Sequence, residues 1–369
     1  MSFTYPVYRP RFTGKEKNHV MDCLDSTWIS SKGKYIHEFE SRFASYLGIS
    51  NAVSVCNGTV ALHVALEALG IGRGDEVLVP TLTYIASANA VSYTGANVVF
   101  VDSEPDYWQI DVDKAERKIT NKTKAIMPVH LYGHPCDMDA VMTLASKYSL
   151  LVVEDCAEAI GTKYDDQFVG TFGDIACFSF FGNKTITTGE GGMVVSNNPV
   201  HADMALRLKG QGLGKGREYW HDLIGYNYRM TNICAAIGCA QMESIEIIVA
   251  RKQAIAAWYQ EFLNDVPVQV QGIKSGVSHS FWMVSIVTDE ARHRDPLRTT
   301  LLEQSIETRP LFYPIHLMDM YRQEGCHYPV AEDLAFRGIT LPSYPDLTRD
   351  DVMHICKYIG DYFGNTGSK

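Results

Sequence analysis

Residues 178–192 read Phe-Ser-Phe-Phe-Gly-Asn-Lys-Thr-Ile-Thr-Thr-Gly-Glu-Gly-Gly. This stretch places one lysine, Lys184, between an apolar run and a glycine-rich turn. Upstream, the apolar run 150–155 ends in Asp155 and continues directly into Cys-Ala-Glu-Ala-Ile-Gly. A carboxylate at the carboxyl end of such a strand points into the crevice where open α/β sheets bind ligands. The two segments together predict a ligand site that contains Lys184 and Asp155.

A lysine and a carboxylate in one crevice suit the chemistry of an aldehyde cofactor. The lysine can form a Schiff base with the aldehyde and then move protons. A carboxylate beside a pyridine nitrogen keeps that nitrogen protonated, and the protonated ring withdraws electrons. The pattern alone leaves plainer alternatives open, because a lysine in a glycine-containing loop is usually a surface charge and a strand-end aspartate is often a turn former.

Short apolar runs alternate with amphipathic segments over most of the chain. The runs predict strands at 52–56, 76–80, 98–102, 125–131, 150–155, 175–181 and 192–196. Helical spacing predicts helices at 59–69, 86–93 and 138–147, and one long helix over 231–262. Continuous apolar strands that alternate with helices indicate a mostly parallel sheet covered on both faces. The predicted fold class is therefore α/β.

The chain changes character after about residue 250. Strands are predicted at 280–287 and 307–312, and a terminal helix at 350–363. We therefore expect a large α/β domain over residues 1–249 and a smaller α+β domain over residues 250–369.

Composition excludes several classes of protein. The formal net charge is -10, and the basic residues are dispersed, which argues against nucleic-acid binding. The nine cysteines are scattered and form no CxxC pair, as expected of reduced thiols and not of a disulfide frame or a metal site. The chain shows neither a signal peptide nor an apolar run of the ~20 residues that span a bilayer. We expect a cytoplasmic protein.

A phosphate site is predicted where the strand 52–56 meets the helix that follows it. Gly58 and Thr59 lie at the start of this helix, where free N–H groups and the helix dipole suit a phosphate. Ser179, five residues before Lys184, could supply a second hydroxyl group. The alternatives are an ordinary threonine N-cap and a serine without a special role.

The combination of these motifs resembles the DegT/DnrJ/EryC1/StrS family of sugar aminotransferases, within the aspartate-aminotransferase-like fold type I of pyridoxal-phosphate enzymes. The similarity covers essentially the whole chain. The matching segments are 58–59, 61–62, 74–77, 80–84, 130–133, 154–157, Lys184, 189–192, 225–230, and 309–310 through to His316.

The resemblance implies pyridoxal 5′-phosphate as cofactor and a role for each matching residue. Lys184 resembles the Schiff-base lysine, and Asp155 resembles the partner of the pyridine nitrogen. Tyr84 resembles the residue stacked on the ring, and Glu158 occupies a position near the ring oxygen.

The remaining cofactor contacts concern the phosphate. Gly58, Thr59 and Ser179 resemble the phosphate cradle. Asn227 resembles a residue that reaches the phosphate in the neighbouring subunit, which implies a homodimer, or a larger homo-oligomer, with shared active sites. A related branch of the family carries histidine in place of the Schiff-base lysine and dehydrates the sugar, so Lys184 favours amino transfer.

Within the family, the chain most resembles the branch that uses L-glutamate to aminate the C4 ketone of GDP-4-keto-6-deoxy-D-mannose. The expected product is GDP-perosamine, which is used for O-antigen in lipopolysaccharide. The alternatives are another nucleotide keto sugar (UDP- or dTDP-linked, aminated at C3 or C4) and a non-catalytic regulatory protein. The candidate substrate contacts are Arg229, Trp220, His221, Tyr313 and His316.

Overall fold

The structure is a computed structural model that describes residues 3–322 and 324–366. Its strands, in chain order, are β1 Asn51–Val55, β2 Glu76–Pro80, β3 Asn97–Val101, β4 Thr123–Ile126, β5 Leu151–Asp155, β6 Lys163–Tyr164, β7 Gln167–Phe168, β8 Ile175–Ser179, β9 Gly192–Ser196, β10 Val268–Val270, β11 Val277–Ser278, β12 Val284–Thr288, β13 Arg309–Pro310 and β14 Gly338–Leu341. Its helices are α1 Lys15–Asp25, α2 Lys34–Leu47, α3 Gly58–Ala68, α4 Ala86–Tyr93, α5 Val112–Glu116, α6 Met138–Tyr148, α7 Pro199–Lys209, α8 Asn232–Met242, α9 Ile245–Phe262, α10 Ala291–Glu303, α11 Pro329–Arg337 and α12 Arg349–Thr366. Short 3-10 turns lie at Leu131–Gly133, Ile315–Leu317 and Asp319–Tyr321.

Seven strands form the main sheet, in the order β1-β9-β8-β5-β4-β2-β3. The pairs from β8 through β5, β4 and β2 to β3 are parallel, and β9 is antiparallel to both of its neighbours. The predicted, mostly parallel sheet is therefore confirmed, with β9 as its reversed strand. Because the other strands share one direction, the carboxyl ends of β1, β8, β5, β4 and β2 meet at one edge.

Strands β8 and β9 are largely apolar because both faces of the sheet are covered there. All five residues of β8 and of β9 are buried. On one face the sheet packs against a core to which α2 and α8 contribute, and on the other against a core to which α3 and α7 contribute. The position of the helices on both faces explains why these strands lack the alternation of half-exposed strands.

A second, antiparallel sheet lies in the C-terminal part, in the order β10-β12-β14-β13. It shares a core with α9, α10 and α12. Near the N-terminus, Tyr5 forms an isolated bridge with Ile306 and packs against the same core. The domain boundary proposed between residues 249 and 250 falls inside α9, and this division of the chain stays a prediction.

The prediction of one long helix over 231–262 is wrong. The structure has α8 and α9, bent by 65° at a break of two residues. At the break, Glu243 and Ser244 donate their N–H groups three residues back, to Ala240 and Gln241, which tightens the turn and ends α8. The bend lets α8 pack against α1 and α2 while α9 reaches the C-terminal helix α12.

Within the described ranges, no single helix combines the length and apolar composition needed to cross a membrane; α8 and α9 meet that test only as a bent pair.

Candidate active site

A cavity of about 560 Å³ opens at the carboxyl edge of the main sheet. Its walls are built from the segments that follow β1, β2, β5 and β8, together with two aromatic residues of the C-terminal part, Trp282 and Phe312. Seven of the eight residues predicted to hold the cofactor line this cavity: Gly58, Thr59, Tyr84, Asp155, Glu158, Ser179 and Lys184. The crevice predicted from strand direction is therefore the place where these side chains meet.

Lys184 projects into this cavity from the loop between β8 and β9. Its side chain is only 12% exposed, and its Nζ lies 3.6 Å from Glu158 Oε1. Its backbone carbonyl accepts a hydrogen bond of 2.6 Å from the hydroxyl of Tyr8, 176 residues away. Burial lowers the pKa of the Lys184 amine, and the nearby carboxylates of Glu158 and Asp155 offset only part of this effect. The Lys184 amine therefore loses its proton at a lower pH than the amine of a surface lysine, which favours its action as a base.

Asp155 is the last residue of β5 and is buried. Ser87, in the first turn of α4, donates a hydrogen bond of 2.8 Å to Asp155 Oδ2. The N–H group of Ala157 donates to the other oxygen, at 3.1 Å. Burial raises the pKa of the Asp155 carboxyl, whereas these two hydrogen bonds and the charge of Lys184 oppose the rise.

Glu158 follows Asp155 by three residues and faces Lys184 across the cavity. Its second oxygen accepts a hydrogen bond of 2.9 Å from the N–H group of Tyr132, which holds the carboxylate in place. Burial raises the pKa of Glu158 to about 7, against the opposing charge of Lys184. Glu158 and Lys184 are therefore a coupled buried pair, in which each charge favours the charged form of the other.

The start of α3 closes another side of the cavity. The side chain of Asn57 caps this helix by accepting from Val60 N–H, at 3.0 Å, so the N–H groups of Gly58 and Thr59 stay available as donors. A Cβ atom on Gly58 would lie 2.7 Å from Ser179 Cβ. The close approach that only glycine allows brings the helix start and the Ser179 hydroxyl together.

Aromatic rings form the wall on the side of the C-terminal part. Tyr84 is 56% exposed, and its ring centroid lies 5.6 Å from that of Phe312. Phe312 stacks in turn on the buried Tyr132, at 5.5 Å, and Tyr132 lies parallel to Trp282 at 6.2 Å. The exposed ring of Tyr84 therefore faces the cavity from a rigid aromatic support.

Four predicted residues between positions 220 and 229 lie outside the cavity of the single chain. Asn227 is exposed, and its side-chain oxygen accepts a hydrogen bond of 3.3 Å from Arg229. Trp220 and His221 are also exposed; the ring of Trp220 contacts Arg217, and His221 Nδ1 lies 2.8 Å from the carbonyl oxygen of Gln211. Within one chain, the structure does not bring these residues to Lys184.

The structure does not support a substrate contact for His316. This residue is buried, its Nδ1 lies 2.8 Å from Thr81 Oγ1, and its Nε2 lies 3.0 Å from Glu332 Oε1. Since both ring nitrogens are engaged, His316 joins the segment after β2 to α11 and has a structural role. Tyr313 is exposed, packs towards Arg294 and Phe336 and does not line the cavity.

Ser87 and Trp282, both in contact with the site, were not among the predicted site residues. Ser87 lies one helical turn after Tyr84, and this spacing could have indicated it. Trp282 gave no such signal, because it lies 98 residues beyond Lys184 and precedes a short strand of the C-terminal sheet. Only the fold brings this tryptophan to the lysine.

Similarity to known proteins decides the family. The model of the DegT/DnrJ/EryC1/StrS aminotransferase family matches residues 10–360. The chain belongs to this family. A protein of Escherichia coli O157:H7 named GDP-perosamine synthase is 58% identical over 360 residues, which cover 98% of this chain and 99% of that protein. A GDP-perosamine synthase of Vibrio cholerae is 50% identical over 362 residues, which cover 97% of this chain and 99% of that protein.

Solved structures agree with this assignment. The putative sugar aminotransferase Spr1654 from Streptococcus pneumoniae, in its PLP form, superposes with a TM-score of 0.93 at 28% identity and covers 99% of both chains. The chain is therefore an aminotransferase with the fold type I of pyridoxal-phosphate enzymes, and the predicted fold class is confirmed. The family also implies pyridoxal phosphate as the cofactor.

The residues of the cavity fit this cofactor. Because Gly58 has no side chain, the Ser179 hydroxyl lies close to the backbone N–H groups at the start of α3. Together these donors suit a phosphate group. A buried carboxylate and a buried amine lie in the same cavity. Asn183 lines it as well, and among the described residues its side-chain oxygen has no hydrogen-bond partner, which leaves an acceptor for a bound molecule.

Proposed function

We propose that this chain transfers the amino group of L-glutamate to the C4 ketone of GDP-4-keto-6-deoxy-D-mannose and so produces GDP-perosamine. The observation that carries the amino transfer is the largely buried amine of Lys184, 3.6 Å from Glu158 in the cavity that also contains Asp155. The choice of sugar is supported by the two full-length relatives named GDP-perosamine synthase. A role in O-antigen synthesis, and the cytoplasmic location expected from the cysteines, belong to the same proposal.

Within this proposal, pyridoxal 5′-phosphate is held by the residues that line the cavity. Gly58, Thr59 and Ser179 bind its phosphate, and Tyr84 covers the ring. Asp155 pairs with the ring nitrogen, and Glu158 lies near the ring oxygen. When bound, the cofactor supplies an aldehyde for the amino group and an electron sink for the carbanion.

Lys184 is the proton carrier of both half-reactions. In the first, Nζ accepts the proton from Cα of L-glutamate and passes it on, the amino group stays in the site, and one water supplies the keto oxygen of the 2-oxoglutarate that leaves. In the second, the ketone oxygen of the sugar leaves as water, and Nζ donates a proton to C4 of the sugar. The lowered pKa of this buried amine favours the first transfer, and the neighbouring Glu158 carboxylate, with its pKa of about 7, favours the protonated amine needed for the second. Because the two substrates take turns in one site, we expect ping-pong kinetics.

A homodimer, or a larger homo-oligomer, with shared sites is part of the proposal. Asn227 is exposed and lies outside its own cavity, as a residue that reaches a neighbouring subunit would. The surrounding loop exposes apolar side chains, among them Tyr219 at 91% and Ile224 at 89%. Such a concentration of exposed apolar groups favours a protein contact at this face. Arg229, Trp220 and His221, on the same loop, would meet the nucleotide only at such a contact.

The substrate is tested by supplying the enzyme with L-glutamate and one nucleotide keto sugar at a time. The candidates are GDP-4-keto-6-deoxy-D-mannose, a dTDP-linked 4-keto-6-deoxy sugar and a UDP-linked 3-keto sugar. We expect amination of the GDP sugar alone, with the new amino group at C4 in the NMR spectrum of the product. Faster amination of a UDP- or dTDP-linked sugar, or amination at C3, would overturn the proposed substrate and leave the aminotransferase assignment intact.

A further inference from the structure

The face of the Trp282 indole covers the amine of Lys184. The Nζ atom lies 3.8 Å from the ring centroid, well within the distance at which a cation is attracted to an aromatic face. Trp282 is only 5% exposed, so little water competes for this contact. The attraction between an ammonium group and a ring is stronger in such a place than at a surface.

The indole is itself fixed in position. Its N–H group donates a hydrogen bond of 2.7 Å to the carbonyl of Asn183, the residue before Lys184. Its ring lies nearly parallel to that of Tyr132, at 8° between the planes, and to that of Phe312, at 20°. The tryptophan thus holds the backbone of the lysine loop with its N–H group and the end of the lysine side chain with its ring.

Two carboxylates are the charged groups that act on the amine within the described ranges. Glu158 lies at 3.6 Å, and Asp155 contributes through its charge from the end of β5. Both favour the ammonium form, and burial opposes it. Trp282 adds a third favourable contact, on the side of the C-terminal part.

We propose that Trp282 is a positioning residue that holds the free amine of Lys184 beside the site whenever this amine is not joined to the cofactor. Amino transfer in two halves requires the lysine to be released once, in the first half, and to rejoin the cofactor once, at the end of the second. Between these events an amine without a fixed position would lose the orientation that proton transfer needs. The need for release rests on the proposed function. The contact itself exists without the cofactor and can be measured in the apo-protein.

The test measures how Lys184 titrates in the apo-protein. Competitive acetylation with acetic anhydride over a range of pH, followed by mass spectrometry of the peptide that contains Lys184, gives the midpoint of its titration. The variants are Trp282→Leu, which removes the aromatic face, and Trp282→Phe, which keeps a face but loses the N–H group. Trp258→Leu, on α9 and outside the cavity, is the matched control.

We expect Trp282→Leu to lower the midpoint by about one pH unit, since the ammonium form loses its aromatic contact. Trp282→Phe should shift it less, and Trp258→Leu should leave it unchanged. In the holoenzyme, at equal cofactor content, Trp282→Leu should slow the single-turnover reaction with L-glutamate about tenfold. If the leucine variant does not fold, Trp282→Met makes the same test, because it fills the space without an aromatic face.

An unchanged midpoint in the leucine or methionine variant would overturn the proposal. So would a phenylalanine variant shifted as far as the leucine variant, because the hydrogen bond would then be the effective contact. If wild-type enzyme does not react with L-glutamate but Trp282→Leu still lowers the titration midpoint of Lys184, the proposed function is contradicted and the contact of Trp282 with the amine is not.

Discussion

Ser87 Oγ donates a hydrogen bond of 2.8 Å to Asp155 Oδ2, so the first turn of α4 supports the carboxylate at the end of β5. Thr83 Oγ1, at 3.3 Å from the same serine oxygen, extends this contact into the loop after β2. A hydrogen bond to a buried carboxylate both orients it and favours its charged form. The Asp155 carboxylate is therefore held in place by Ser87, a residue that also lines the cavity.

Ser87→Ala should weaken the role of Asp155 without removing it. Losing one hydrogen bond to a charged group costs about 1.5–3 kcal/mol, so we expect a loss in kcat/KM of roughly 10- to 100-fold. Because burial then acts on Asp155 with less opposition, its pKa should rise further and the acid limb of the pH profile should move to higher pH. Ser92→Ala, on the same helix but exposed, is the control. If the acid limb of the Ser87→Ala profile does not move, Ser87 does not support the function of Asp155.

Gly58→Ala should damage the phosphate cradle. The new Cβ would lie 2.7 Å from Ser179 Cβ and 3.0 Å from Ser179 Oγ, so the serine or the start of α3 must move. We expect the affinity for pyridoxal phosphate, measured by equilibrium dialysis, to fall by at least about tenfold, since at least one phosphate contact is lost. Gly72→Ala, whose Cβ would meet its nearest neighbour at 3.7 Å, should bind the cofactor normally. Equal affinities of the two variants for pyridoxal phosphate would show that Gly58 and Ser179 do not bind its phosphate.

Acid should destabilise the protein through a buried histidine pair. His134 Nε2 accepts from the N–H group of Lys274, and His279 Nδ1 accepts from that of Phe281, so both rings must be neutral. Burial lowers the pKa of His134 to about 4 and lowers that of His279 well below its usual value.

The sign of this effect follows from which state binds the proton. Between the ordinary histidine pKa of about 6.5 and the folded value of about 4, the unfolded chain binds a proton at His134 and the folded chain does not. The free energy of unfolding should therefore fall as the pH drops through this window, by up to about 3 kcal/mol from His134 alone. Urea unfolding at pH 7.5 and 5 measures the slope. It should be shallower in His134→Asn and unaltered in His37→Asn, where the histidine is exposed; a slope that does not respond to His134→Asn would contradict the assignment.

Shared active sites predict complementation between two impaired chains. Lys184→Ala removes the proton carrier of its own site, and Asn227→Ala should weaken cofactor binding in the partner's site. When the two variants are mixed and allowed to exchange, one site of each mixed dimer regains both residues. About a quarter of the wild-type activity is expected after random exchange in a twofold dimer. No recovery, in mixtures shown by mass spectrometry to contain mixed dimers, would place Asn227 outside the shared site.

Local patterns predicted the main sheet well because each of its strands is a short apolar run bounded by turn residues. Strands β2 and β9 and helix α4 begin and end at the predicted residues. The break between α8 and α9 was missed, because the apolar pattern continues across it and the reason for the bend lies in what each half packs against. Helices α1 and α2 were not predicted for a similar reason: their apolar faces pack only against distant parts of the chain.

The site was predicted in the same uneven way. Lys184, Asp155 and Gly58 follow strands whose direction places them at one edge, so their neighbourhood could be inferred from topology. Trp282 could not, because it reaches the lysine loop through a hydrogen bond between residues 99 positions apart. The partners of His316 could not be predicted either, because the sequence does not show that Thr81 and Glu332 occupy both of its ring nitrogens.

The role of Lys184 is tested most directly by an absorbance spectrum taken before and after the addition of L-glutamate. Wild-type protein loaded with pyridoxal phosphate should absorb near the edge of the visible range, and L-glutamate should replace this band with that of the amino form of the cofactor. Lys184→Ala should lack the first band and lose turnover by roughly 10²- to 10⁴-fold, the usual contribution of a proton carrier, while Lys147→Ala, an exposed lysine, should behave as wild type. A Lys184→Ala protein that keeps both the band and the turnover would contradict the account.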